Sequence, residues 1–120
     1  MRIMAFLILG LSLPALANID GLCLSNLLNR GYAVTDSIQL CQGGVDGDCL
    51  GVLETRHYTV NEALASCTDI KGSCLATLQN QGFSTADSLQ ACQGKVDGRC
   101  LSNLESHGYS LKDTLKICKD

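Results

Sequence analysis

The chain has 120 residues, eight of them cysteine, and carries nine Lys and Arg against twelve Asp and Glu for a formal net charge of −3. A surface of that sign does not draw nucleic acid. About a hundred residues bury only a modest core, so covalent cross-links are physically useful to such a chain.

The first residues set Arg2 ahead of an apolar run from Ile3 to Leu13, then Pro14 and the small-residue ending Ala15, Leu16, Ala17. This is the three-part pattern of a signal peptide, so residues 1–17 are expected to be removed and Asn18 to Asp120 to form a secreted chain, extracellular or periplasmic. The run falls short of the ~20 residues that cross a bilayer, and no later segment is apolar enough to do so, which predicts no stable membrane insertion. No cysteine follows the expected cleavage point, which argues against a lipoprotein anchor. An even cysteine count behind a signal peptide reads as a disulfide framework.

The rest is a repeat. Cys23, Cys49, Cys74 and Cys100 recur at steps of 26, 25 and 26, and Cys41, Cys67, Cys92 and Cys118 recur at the same steps, 18 positions further on in each case. Leu24, Leu50, Leu75 and Leu101 keep this phase, as do Leu27, Leu53, Leu78 and Leu104. So do the aromatics Tyr32, Tyr58, Phe83 and Tyr109 and the aliphatics Ile38, Leu64, Leu89 and Leu115. The units are about 18–42, 43–68, 69–93 and 94–120 and make a single repeat domain. A longer period is also present: CQGGVDG at 41–47 returns as CQGKVDG at 92–98, whereas CTDIKG at 67–72 is one residue shorter. A duplicated two-unit ancestor explains the spacing.

In each unit the first segment is apolar at the cysteine, one later and four later, which is one face of a helix. Asp20, Asp46 and Asp97, each followed by glycine, are natural N-caps, and Gly31, Gly82 and Gly108 supply the left-handed residue that closes a helix. The second segment opens with Thr59, Ser84 or Ser110, with Glu62, Asp87 or Asp113 three residues on, close to a capping box. Ala33 breaks this pattern, so the second helix of the first unit should be the least well capped.

Two helices of about nine residues joined by a two- or three-residue turn run antiparallel. The start of the first then lies beside the end of the second, and those are the cysteine positions. The expected bridges are therefore Cys23–Cys41, Cys49–Cys67, Cys74–Cys92 and Cys100–Cys118. The rival joins each second cysteine to the next unit's first and leaves Cys23 with Cys118, which would require a ring. Each 18-residue closure is worth about 3 kcal/mol in the chain-entropy view. The predicted fold is all-α: four disulfide-stapled αα-hairpins stacked as a short solenoid.

Candidate chemistry is sparse. A zinc site would use closely spaced thiolates, and no C-x2-C pair occurs, which argues equally against thiol–disulfide catalysis. His57 takes the place of the helix-closing glycines, and His107 sits one place earlier in the frame, so both read as surface turn residues rather than as a catalytic base. Asp46-Gly47-Asp48 begins like a calcium loop, but Leu50 and His57 stand where oxygen ligands belong. GFSTADSLQAC at 82–92 locally resembles the glycine–aromatic turn and following helix of ubiquitin-associated domains; the resemblance covers one turn and one helix and implies no function.

What varies while the scaffold stays constant are the turn positions Arg30, Arg56, Gln81 and His107 and, two places earlier, Leu28, Glu54, Gln79 and Glu105. In helical repeat arrays such positions commonly carry binding specificity, and solvated helix ends are the plain alternative. Leu22 and Leu28 are apolar where other units are polar. They mark either a partner or self-association surface or a patch covered by the segment around Ile19, the latter being favoured. The functional expectation is a secreted, non-enzymatic module, with no cofactor or metal, that recognises a protein or other surface macromolecule through one face of the array. The alternative is a carrier of a small apolar ligand in a helical cage.

Overall fold

The computed structural model describes residues 19–119, and the expected signal peptide at 1–17 lies outside them. The described residues form eight α-helices and no strand: α1 Gly21–Asn29, α2 Val34–Cys41, α3 Gly47–Thr55, α4 Val60–Ser66, α5 Gly72–Asn80, α6 Thr85–Ala91, α7 Gly98–Ser106 and α8 Leu111–Ile117. They pair as four hairpins, each stapled as the spacing predicts, with Cys23–Cys41, Cys49–Cys67, Cys74–Cys92 and Cys100–Cys118 bridged across Cα separations of 5.6–5.9 Å.

The odd-numbered helices lie side by side in the order α1, α3, α5, α7, and each even-numbered helix packs on its own partner. The layer of first helices therefore carries the contact between units. Its interior is built from the repeated leucines: Leu27, Leu50, Leu53, Leu75, Leu78 and Leu101 are fully buried, joined by the linker residues Val45, Ile70 and Val96. A fully buried leucine contributes roughly 1.5–3 kcal/mol, so a short helix that could not persist alone is held by its buried stripe.

Local signals end each helix where the sequence says. Tyr32, Tyr58, Phe83 and Tyr109 each donate a backbone N–H to the carbonyl five residues back, at 3.1 Å. Gly31, Gly82 and Gly108 have φ of +93°, +97° and +93°. This is the doubly bonded helix stop that glycine favours. His57 is forced into the same left-handed region at φ +70°, a strain of about 1 kcal/mol for a residue with a Cβ. Thr59, Ser84 and Ser110 cap α4, α6 and α8, but only Thr59 and Glu62 form the full reciprocal box. Asp87 and Asp113 donate their backbone N–H to the serine hydroxyl, but their carboxylates are one methylene shorter and accept nothing back from the cap residue. Ala33 gives α2 no side-chain cap.

Two features depart from the sequence reading. The in-phase aliphatics Ile38, Leu64, Leu89 and Leu115 are only half-buried, and the fully buried positions are the small residues just before them, Ser37, Ala63, Ser88 and Thr114. Each lies four residues before the second cysteine, on the helix face that meets the first helix, where only a short side chain fits. Among the described residues, Leu22 and Leu28 are also left uncovered by Ile19. Ile19 sits half-buried against the core, while Leu22 is 53% and Leu28 42% exposed.

Candidate binding edge

The array has two long edges with different chemistry. At one edge lie the disulfides and the N-termini of all four first helices. There a Cβ on Gly47, Gly72 or Gly98 would overlap the backbone of the preceding unit, at Leu22 and Cys23, at Asp48 and Cys49, and at Ser73 respectively. These glycines let neighbouring helix ends touch through their main chains.

The N-cap carboxylates bind across that contact. Asp20 accepts from Leu22 N in its own helix at 3.3 Å and from Gly47 N of the next at 2.7 Å. Asp46 accepts from Cys49 N at 3.0 Å and Gly72 N at 2.6 Å. One carboxylate thus serves two helix N-termini whose dipoles point the same way, a favourable place for negative charge. Lys71 cannot do this for α5, which has no side-chain cap, and Ser73 Oγ receives Gly98 N instead, at 2.9 Å. Asp46 is engaged here with backbone donors, and among the described residues no group of three His, Cys, Asp or Glu side chains is placed to hold a metal ion.

At the opposite edge lie the turns, and the eight variable residues singled out from the sequence all fall there. Six of them pair with one another between units. The Arg30 guanidinium lies 2.9 Å from Glu54 Oε1, which also accepts from Asn26 Nδ2 at 2.8 Å. Arg56 donates to Gln79 Oε1 at 3.3 Å, and Gln81 Nε2 donates to Glu105 Oε1 at 2.7 Å. The donor of one unit meets the acceptor two places earlier in the next unit's frame, so the row is a ladder of three rungs. Leu28 has no place in a rung, and His107 turns back on its own helix, its Nδ1 2.7 Å from the Asn103 carbonyl oxygen.

The rungs differ in burial. Arg30 is 44% exposed while the Glu54 side chain is 4% exposed, and Arg56, Gln81 and His107 face solvent. Glu54 Oε2 and Asn26 Oδ1 are buried acceptors without a partner among the described residues. The pairing between units was not visible in the sequence because rung partners stand 23 or 24 positions apart, in units whose side chains differ each time.

Between the edges, the outer side of the first-helix layer is lined by short side chains. An open groove of about 430 Å³ runs between α5 and α7 over Ser73, Ala76, Thr77, Gly98, Arg99, Ser102 and Asn103. Sequence reasoning missed this face because serine, threonine and asparagine at those positions read as ordinary solvated residues. No described helix is long and apolar enough to cross a membrane. No protein-family model matches this chain, and neither curated proteins nor solved structures show a significant match to it.

Proposed function

We propose that this is a secreted, non-enzymatic binding module, working in an extracellular or periplasmic space, that recognises a protein or other surface macromolecule along its turn edge. The observation that carries the reading is the row Arg30, Arg56, Gln81 and His107. One polar side chain per unit faces solvent in register, on a scaffold whose cysteines and core leucines are constant. A row of this kind presents several weak contacts at fixed spacing, and the ladder beneath it restrains the side chains before they bind, which lowers the ordering cost. Four disulfides are compatible with the oxidising compartment that secretion implies.

The test places a photoreactive amino acid at position 56 on the turn edge or at position 87, exposed on the second-helix side, in protein exposed to intact cell surfaces and secreted material. A macromolecule cross-linked from 56 and not from 87, and lost at least tenfold when Arg30→Ala/Gln81→Ala is added, is the expected result. Equal labelling from both positions, or a stoichiometric lipid extracted from the purified protein with no macromolecular adduct, overturns it.

A further inference from the structure

The contact between units occurs three times within the chain, and the first and fourth units each expose one half of it. On the first unit, Gly21 matches Gly47, Gly72 and Gly98, yet a Cβ there meets nothing within 4 Å. It is a close-approach glycine with nothing approaching among the described residues. Around it, Leu24 is half-buried where Leu50, Leu75 and Leu101 are fully buried, and Val34 is 60% exposed where Val60, Thr85 and Leu111 are half-covered. Leu28 is exposed at the position where every later unit carries Glu or Gln.

The fourth unit shows the opposite half. Asp97 caps its own helix through Oδ1 at Arg99 N, 3.2 Å away. Its Oδ2 makes none of the bonds to a following glycine that Asp20 and Asp46 make with Gly47 and Gly72. Cys100 and Leu104 are half-buried where Cys23, Cys49 and Cys74 and Leu27, Leu53 and Leu78 are fully buried. Tyr109 is 50% exposed.

We propose that the chain associates head to tail with a second copy of itself, the first unit of one molecule docking on the fourth unit of the next through the same contact that joins successive units within one chain. In that junction the Asp97 carboxylate of one molecule receives the Gly21 N–H of the other, as Asp20 receives Gly47. Leu24 of the first unit covers the half-buried Cys100 and Leu104, taking the place that Leu50, Leu75 and Leu101 have within the chain. Repeat arrays that stay monomeric end in units with a polar outer face; this first unit instead presents Leu28 and Val34, the composition of a surface meant to be covered. Because the two halves differ, the interface is heterologous and can add molecules in a line. The junction lacks one element of the internal contact: Leu28 replaces the acceptor of a polar rung, so His107 meets an apolar side chain there. That makes it weaker than the bond between covalently linked units and suits reversible assembly.

The experiment is sedimentation velocity on the secreted, disulfide-intact protein, with its N-terminus read by mass spectrometry, from 10 μM to 1 mM. The expected result is an average mass that rises with concentration beyond a dimer. Gly21→Ala adds a methyl where the isolated molecule has open space, so its thermal midpoint should stay within about 2 °C of the parent while association weakens at least tenfold. Asn103→Arg, on the exposed side of α7, should block the other half and also yield monomer. Mixed one to one, the two variants each retain one intact half and should form a heterodimer. Monomer throughout, in parent and variants, overturns the proposal. So does a dimer that survives Asn103→Arg but not Gly21→Ala, which would mean that two first units meet face to face.

Discussion

The cysteine edge and the turn edge join the same units by different means, and the difference explains which residues repeat. At the cysteine edge, main chain touches main chain, so the residue must be glycine; four glycines recur there unsubstituted, while the aspartate cap recurs three times and gives way once to Lys71, where Ser73 takes over the bond to the next unit. At the turn edge, side chain meets side chain at the end of flexible stems, and Arg–Glu, Arg–Gln and Gln–Glu all close the same gap. Backbone contact demands identity, whereas a side-chain rung demands only a donor and an acceptor.

Substitutions should separate the two edges by size of effect. Removing one staple as Cys49→Ala/Cys67→Ala should cost about 3 kcal/mol by freeing an 18-residue loop of the unfolded chain, read as the largest fall in thermal midpoint by circular dichroism. Gly72→Ala should cost roughly 2 kcal/mol, because the new methyl overlaps Asp48 and Cys49 and the units must separate. At 4–8 °C per kcal/mol for a domain of this size, the midpoint should drop by roughly 10 °C. A Gly72→Ala midpoint equal to that of Gly21→Ala would break the contrast between covered and open glycines.

On the turn edge, Arg30→Ala should cost about 1 kcal/mol, since it leaves the nearly buried Glu54 carboxylate without its cation. Arg56→Ala should cost less than about 0.5 kcal/mol, because its partner Gln79 is neutral and the bond is exposed. Urea midpoints at low and high salt check this, the Arg30 effect alone shrinking with salt. His57→Gly should stabilise by roughly 0.5–1 kcal/mol, relieving the left-handed φ of +70°. A loss of stability there would show that the imidazole makes a contact outweighing the strain.

Much of the architecture could be read from spacing because the repeat amplifies weak signals. The hairpins, the four pairings, the aspartate caps and the odd capping of α2 each follow from a residue class recurring in phase. The buried small residues did not stand out, because Ser37, Ala63, Ser88 and Thr114 share size rather than polarity and sit next to a louder aliphatic row. The second role of Asp20 and Asp46 was hidden for another reason. A cap within one helix is local in sequence, but the amide it also receives lies 26 or 27 positions away. The variable turn residues were found, yet their partners were not, since nothing in a single sequence links Gln81 to Glu105.

The staples also govern how the molecule answers a pulling force. Tension applied between residues 19 and 119 runs through each disulfide rather than around its hairpin, because Cys23 is covalently tied to Cys41 and the other three pairs likewise. The helices and turns between paired cysteines are therefore shielded from stretching, and only the short linkers such as 42–48 and 68–73 can lengthen. A tether built this way separates its units one interface at a time while remaining short, and becomes a long thread only where a reductant first opens the bridges.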